Sequence, residues 1–380
     1  MSEACSRCIM DHTVPGLRLD ADGICHLCHV QDRLHRAHFI EQDTEKAARF
    51  AQMIDTIKKA GKDKEFDCIV PLSGGGDSSY TLYKSKQLGL RPVAYHFDNG
   101  WVSDVARSNM AEVTQKLGVP LKTVSYPWPE LRETYLASLR ASIPEVCLPC
   151  LVGVWSLAYS AAQAEGVRYV MHGSSPMTEG IFPSSWSYID GRYLESVVAQ
   201  HGTPGACHVV KQFNRLRISD MVSDMALRRT RVVMLPLYLE WDDHRIRTEL
   251  QREFNWGDGG KHADCIYTPF RAWVIWKKFG FDLRRMGSAA LVRSGRVSRA
   301  KALEYFEENP PQEDAVAVAK VLERLGLSRA QLGEILEAPP KHFQDYATYH
   351  GTVQRMEPLV RAAVKMGLLS QMVYDKYFTC

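Results

Sequence analysis

From Phe66 onward, short apolar runs alternate with longer stretches whose apolar residues recur at helical spacing. The runs predict strands at Cys68–Leu72, Val93–Phe97, Leu121–Ser125 and Arg168–His172, and the stretches between them predict helices at Ser78–Leu88, Asp104–Leu117 and Leu151–Glu165. Strand, helix, strand at these distances implies an α/β fold with a doubly wound parallel sheet and a ligand at the carboxyl ends of its strands. Ahead of this pattern, Gln31 to about Lys64 is polar, with Phe50, Met53, Ile54 and Ile57 at helical spacing, and reads as a connecting helix or helix pair. The expected organisation is a cysteine-rich module at 1–35, linker helices at 36–65, the α/β domain at 66–290 and a helical C-terminal region at 291–380.

The first strand ends in Ser73-Gly74-Gly75-Gly76-Asp77-Ser78-Ser79. Three glycines let the backbone approach an anion. The hydroxyls and the N–H groups of a helix start supply donors, and Asp77 can engage Mg²⁺. The loop lacks the Lys-Ser/Thr ending of GxxxxGK[ST], which disfavours a Walker A triphosphatase. It resembles the SGGxDSS/T loop of the ATP pyrophosphatase (PP-loop) superfamily, whose members hold the pyrophosphate of ATP and adenylate a carbonyl or carboxyl oxygen. The second strand delivers His96-Phe97-Asp98-Asn99-Gly100-Trp101 to the same sheet edge, making Asp98, Asn99 and Trp101 candidates for nucleotide or substrate contact; an Asn-Gly turn is the plain alternative. After the fourth strand, His172 to Trp186 gathers hydroxyls, aromatics and Glu179. Glu179 either holds Mg²⁺ or takes a proton from incoming ammonia, or is a surface carboxylate.

Composition is that of an ordinary globular chain: 380 residues, 45% hydrophobic, 24% charged, formal net charge +3. That charge gives no case for a nucleic-acid partner. No apolar run approaches the length of a membrane span and the N-terminus is not a signal peptide, so the expected location is the cytoplasm. Among ten cysteines, Cys5-x-x-Cys8 and Cys25-x-x-Cys28 stand sixteen residues apart. This is zinc-ribbon spacing, in which four thiolates close a structural tetrahedral site. A segment this short buries little core, so metal binding is expected to supply its folding free energy. A third pair, Cys147-x-x-Cys150, lies at a helix N-terminus, where a thiolate is favoured; it reads as structural or substrate-lining, with sulfur transfer as the alternative. Cys68, Cys207, Cys265 and Cys380 are left unassigned.

Between Asp264 and Leu303, cations lie among aromatics, in Arg271, Lys277-Lys278-Phe279-Gly280-Phe281-Asp282 and Ser294-Gly-Arg-Val-Ser298-Arg299-Ala-Lys-Ala-Leu. Such groups could neutralise charge as pyrophosphate leaves, although each one singly reads as a solvated helix face. Taken in order, the two CxxC pairs, SGGGDSS, HFDNGW, Thr178-Glu179-Gly180, KKFGFD and SGRVSRAKAL are similar to the N-acetyl sugar amidotransferases of bacterial surface-polysaccharide (O-antigen) synthesis, over roughly residues 1 to 310. The resemblance implies a PP-loop enzyme that converts an acetamido group on a nucleotide-linked sugar into an acetamidino group. It would use ATP, Mg²⁺ and ammonia, the last from a separate HisH-like glutaminase and, in some systems, with a cyclase-like partner. On that reading Ser73, Gly74, Gly75, Gly76, Ser78 and Ser79 bind the phosphates and Asp77 engages Mg²⁺. Lys278 or Arg271 balances developing charge, and the Glu179 loop faces the sugar. The rival implied by the same ATP loop is a tRNA thiolase working through Cys147 or Cys150.

Overall fold

The computed structural model describes residues 4–40, 43–260, 263–366 and 371–379; Cys380 lies outside them. Strands β1 (Cys68–Pro71), β2 (Pro92–Asp98), β3 (Leu121–Ser125), β4 (Tyr169–His172) and β5 (Arg231–Met234) form one sheet in the order β3-β2-β1-β4-β5, every pairing parallel. β5 is absent from the sequence reading. It is a four-residue edge strand beginning on an exposed arginine, and its apolar run is too short to stand out by periodicity. From β1 the chain winds outward through β2 and β3, then crosses to the other flank of β1 with β4. The switch point between β1 and β4 is where open α/β sheets bind ligands.

Helices α1 (His26–His38) and α2 (Thr44–Ala60) precede the sheet, and α3 (Gly76–Gln87), α4 (Asp104–Leu117), α5 (Trp128–Arg140) and α6 (Leu148–Ala164) connect its strands. β1 and β2 are buried on both faces, as crossover connections require. Cys68, Val70, Leu72 and Ala94 face a layer containing α2, α3, α4 and α9 (Asp243–Phe254), whereas Ile69, Val93, Tyr95 and Phe97 face α6. A separate core unites α5 and α6 with α7 (Gly191–His201), α8 (Pro204–Phe213), α10 (Thr268–Phe279) and the C-terminal helices α13 (Ala315–Leu325) and α14 (Arg329–Glu337). Trp101 belongs to this core rather than to a ligand face. It has no accessible surface and packs on Trp128, Tyr135 and Tyr267 with ring centroids 4.8–5.6 Å apart.

The N-terminal module runs into α1 through its second CxxC pair. Cys5, Cys8, Cys25 and Cys28 are buried, their sulfurs mutually within 4.8 Å. The closest pairs stand at 3.5, 3.6 and 3.8 Å, close to the ~3.8 Å edge of a tetrahedron with 2.3 Å Zn–S bonds, so the donor set fits zinc. The cationic C-terminal run grips this module. From α11 (Arg284–Arg293), Arg285 donates to the Ile9 carbonyl and Arg293 to Cys8 Sγ at 3.5 Å; Arg299, which opens α12 (Arg299–Glu308), donates to the carbonyls of Cys5 and Cys8. These arginines therefore bind the ribbon, and Arg299, one of the cations that the sequence offers for pyrophosphate, is among them.

Two outcomes follow from this packing. Trp101→Ala should lower unfolding stability by about 3–5 kcal/mol, read from chemical denaturation, since it leaves a large void. Stripping zinc with a chelator should expose the four thiols to a thiol reagent and lower the melting temperature, with recovery on adding zinc back.

Candidate active site

The phosphate loop is held by its own hydroxyls. α3 starts at Gly76, two residues earlier than the periodicity indicates, so Ser78 lies in its first turn. Ser78 Oγ accepts from the Ser73 backbone N–H at 3.1 Å, stands 3.1 Å from Ser73 Oγ and donates to the Gly75 carbonyl at 3.2 Å; the Gly75 N–H donates to Ser73 Oγ at 3.3 Å. Gly74 has φ +84°, and a Cβ there would fall 2.2 Å from the Ala106 carbonyl of α4, so only glycine permits this approach. Ser79 does not join the loop's open face. Its hydroxyl is fully buried within α3 and has no partner among the described residues.

Three groups that the sequence reading passed over brace this loop. Asn109 of α4 donates to the Gly74 and Gly257 carbonyls and accepts from the Gly257 N–H at 2.7 Å, tying the loop to a distant segment. The Trp241 indole donates to Asp77 Oδ1 at 2.6 Å and orients that carboxylate. Asp264 lays Oδ2 3.1 Å from where a Gly75 side chain would begin, so two carboxylates, Asp77 and Asp264, flank the loop. No local motif surrounds any of the three residues; only long-range packing brings them in.

At the end of β2, Asp98 accepts from the Gly100 N–H and stands 3.6 Å from Arg107, the residue after Ala106. His96 is buried. Its Nδ1 lies 2.8 Å from the Leu72 carbonyl and must carry the proton, which leaves Nε2 a bare acceptor without a partner among the described residues. Burial lowers its pKa, so the ring is neutral. An unpaired buried acceptor, the glycine cradle and the two carboxylates fit an ATP–Mg²⁺ ligand, with Ser73, Gly74, Gly75, Gly76 and Ser78 on the phosphates and Asp77 and Asp264 as the residues that would hold the cation. Asn99 turns away from Asp98: its amide donates to Cys150 Sγ at 3.1 Å and its oxygen accepts from the Trp101 N–H.

The two cations selected from sequence serve other elements. Lys278 directs its ammonium to the last carbonyls of α14, those of Ile335, Leu336 and Ala338, and acts as a C-terminal cap. Arg271 pairs with buried Glu145 at 2.9 Å beside Cys147 and Cys150. The first turn of α6 does not lower those thiols as its N-terminal position suggests, because burial raises both. Arg107 is a cation whose chain neighbour Ala106 lies against Gly74 of the loop.

The loop after β4 completes the switch point. At Gly173 a Cβ would stand 2.7 Å from the Asp77 carbonyl, so this backbone lies directly on the first turn of α3. Beyond it opens a cavity of about 290 Å³, lined by Trp155, Tyr159, Ser174, Ser175, Glu179 and Tyr377 among others. Glu179 lines this cavity together with Ser174, the residue that follows Gly173. His172 stacks on Trp155 at 4.8 Å and accepts from the Ser174 N–H, and burial lowers its pKa to about 4. Because the folded value lies below the ordinary 6.5, the unfolded chain binds the extra proton first, and this contribution to stability is complete above about pH 6.5 and lost as the pH falls toward 4. His172→Phe, which keeps the stack and removes the titration, should flatten that part of a stability-versus-pH curve.

Residues 252–360 match the family model described as the C-terminal domain of WbpG-like LPS biosynthesis proteins. A 115-residue stretch is 32% identical to a probable tRNA sulfurtransferase of Methanothermobacter thermautotrophicus, covering 28% of this chain and only 28% of that protein. NMN synthetase from Francisella tularensis aligns over 75% of this chain and 95% of its own, at 13% identity and a TM-score of 0.34. A predicted tRNA methyltransferase subunit from Methanocaldococcus jannaschii aligns over 57% and 92%, at 14% identity and a TM-score of 0.29. Scores this low carry no weight beside the sheet order and loop geometry above. Residues 252–360 are thus similar to the C-terminal domain of the WbpG-like proteins of LPS biosynthesis.

Proposed function

We propose that the protein is an ATP-dependent amidotransferase of surface-polysaccharide synthesis, acting on the N-acetyl group of a nucleotide-linked sugar. The observation that supports this reading is the contact of Gly173 with the first turn of α3, one residue before Ser174 on the lining of a cavity of about 290 Å³. An amide carbon is a poor electrophile, so its oxygen must first become a leaving group. The amide oxygen attacks the α-phosphorus of ATP and pyrophosphate departs; ammonia then adds to the imidate carbon and AMP leaves, giving the amidine. Bound Mg²⁺ would neutralise phosphate charge, held by Asp77 and Asp264.

The loop N–H groups and the positive end of α3 hold the departing pyrophosphate, and Arg107 supplies a mobile cation at its edge. Glu179 and the Ser174 and Ser175 hydroxyls orient the sugar, while Trp155 and Tyr159 give its ring and acetyl methyl an apolar wall. No covalent enzyme intermediate is required, so positioning and electrostatics carry the rate. Ammonia comes from a separate HisH-like glutaminase.

A tRNA thiolase is the second reading, favoured by the Asn99–Cys150 contact beside the same sheet edge and by the sulfurtransferase likeness. The two separate in one assay: AMP release from ATP with ammonium and a panel of UDP-linked N-acetyl sugars, against bulk tRNA with a sulfur donor. AMP that requires both sugar nucleotide and ammonium is the expected result; AMP only with tRNA and sulfur sinks the amidotransferase. Asp77→Ala and Asp264→Asn should each reduce turnover by about 10²-fold or more with the fold intact. Glu179→Gln should raise KM for the sugar nucleotide while leaving ATP affinity unchanged; equal losses in both would remove Glu179 from the sugar site.

A further inference from the structure

Part of the wall of the cavity after β4 comes from residues far apart in the chain. Val30 and Leu34, one turn apart on α1, line it, and so do Asp375 and Tyr377 of segment 371–379. The ribbon seats α1, because Cys25 and Cys28 stand at its start. Between Val30 and Leu34, Arg33 reaches across and pairs with Asp375 Oδ1 at 2.9 Å. Two more side chains hold the segment by its carbonyls: Arg18 of the ribbon donates to Thr379, and Gln354 donates to Tyr377 at 2.8 Å. Tyr377 also packs on Tyr188, ring centroids 6.1 Å apart. The segment is thereby fixed in place as part of the cavity wall.

Asp375 is the group on this wall whose bonding is incomplete. Its side chain is only 3% exposed. Oδ1 collects donors from Arg33, from Gln371 at 3.1 Å and from Thr379 Oγ1 at 3.4 Å, whereas Oδ2 has none among the described residues. A carboxylate oxygen shut away from water and left without a donor is costly, and the space that Asp375 borders is the cavity. A metal ion does not suit this place, since among the described residues only the ribbon brings three or more metal-ligating side chains together. The remaining lining calls for a ligand of mixed character. Leu34, Ile181 and Met234 offer it no hydrogen bonds, and Trp155 and Tyr159 add aromatic rings. A pyranose meets both demands, with C–H faces for the apolar wall and hydroxyl donors for the carboxylate. At about 290 Å³ the cavity lies at the small end of ligand pockets, which suits one sugar unit and not a macromolecule.

We propose that Asp375 is a specificity residue of the sugar site, its Oδ2 accepting a hydrogen bond from one hydroxyl of the nucleotide-linked sugar. The assignment rests on the amidotransferase reading and deepens it. Arg33 is a positioning residue: it holds Oδ1 and leaves Oδ2 for the ligand. The test measures equilibrium binding of the panel of UDP-linked N-acetyl sugars, and of analogues in which one hydroxyl at a time is replaced by hydrogen, to the full chain and to Asp375→Asn, with ATP binding measured alongside. The substitution puts a donor where the acceptor stood, so the best-bound sugar should bind about 10-fold more weakly or worse, with ATP binding unchanged. The one analogue that lacks the recognised hydroxyl should bind both proteins alike. Should Asp375→Asn not fold, Asp375→Glu decides: it keeps the charge for Arg33 but moves the carboxylate by one methylene, and should lose the wild-type preference for the parent sugar over that analogue. Unchanged sugar affinity in Asp375→Asn overturns the proposal, as does a wild-type preference kept by Asp375→Glu. An equal loss across every analogue also overturns it, because that marks Asp375 as a clamp for the segment alone. A wild-type chain that binds none of the sugar nucleotides is a separate result, which removes the amidotransferase reading and this assignment together.

Discussion

A turn that offers its backbone to an anion must keep its shape before the anion arrives. Here the Ser78 hydroxyl does that work by bonding to both sides of the turn, at the Ser73 N–H and the Gly75 carbonyl. With these internal needs met, the positive end of α3 remains turned toward an anion at the loop. Gly74 can press on the Ala106 carbonyl only because it carries no Cβ, and the Asn109 amide holds the Gly74 carbonyl. Asp264 lies against this turn, and the Gly173 backbone lies against Asp77 just beyond it.

The cationic C-terminal run shows how charge is allocated between binding and folding. Four thiolates around a zinc ion would give the N-terminal module a net negative charge at its centre. Arg293 meets Cys8 sulfur, and Arg285 and Arg299 meet carbonyls of Ile9, Cys5 and Cys8. Arg296 reaches the Trp241 carbonyl, and Trp241 in turn orients Asp77. The ribbon, the C-terminal helices and the phosphate loop are thereby linked through a few guanidinium contacts, whose planar forks suit paired carbonyl acceptors.

Much of the architecture was legible without coordinates. β3 and α4 lie where the apolar periodicity places them, β1 and β4 differ from it by one residue at one end and β2 by one residue at each end, because buried parallel strands and amphipathic helices leave local patterns. β5 left none, being a short edge strand. Trp101 and Lys278 looked functional because an aromatic after an Asn-Gly turn and a lysine in a basic run are chemically apt; their burial against Tyr267 and their use as a helix cap depend on neighbours far along the chain.

The sequence by itself determined the chemistry carried on contiguous residues: the thiolate pairs, the glycine loop with Asp77, and the alternation that makes the sheet parallel. Each is set by spacing within one turn or one strand, where the backbone leaves few choices. Tertiary structure alone decided which distant groups share a site, bringing Asp264, Asn109 and Trp241 to the loop. Those juxtapositions follow from the order of strands and the packing of whole layers, a many-body outcome that no local pattern encodes.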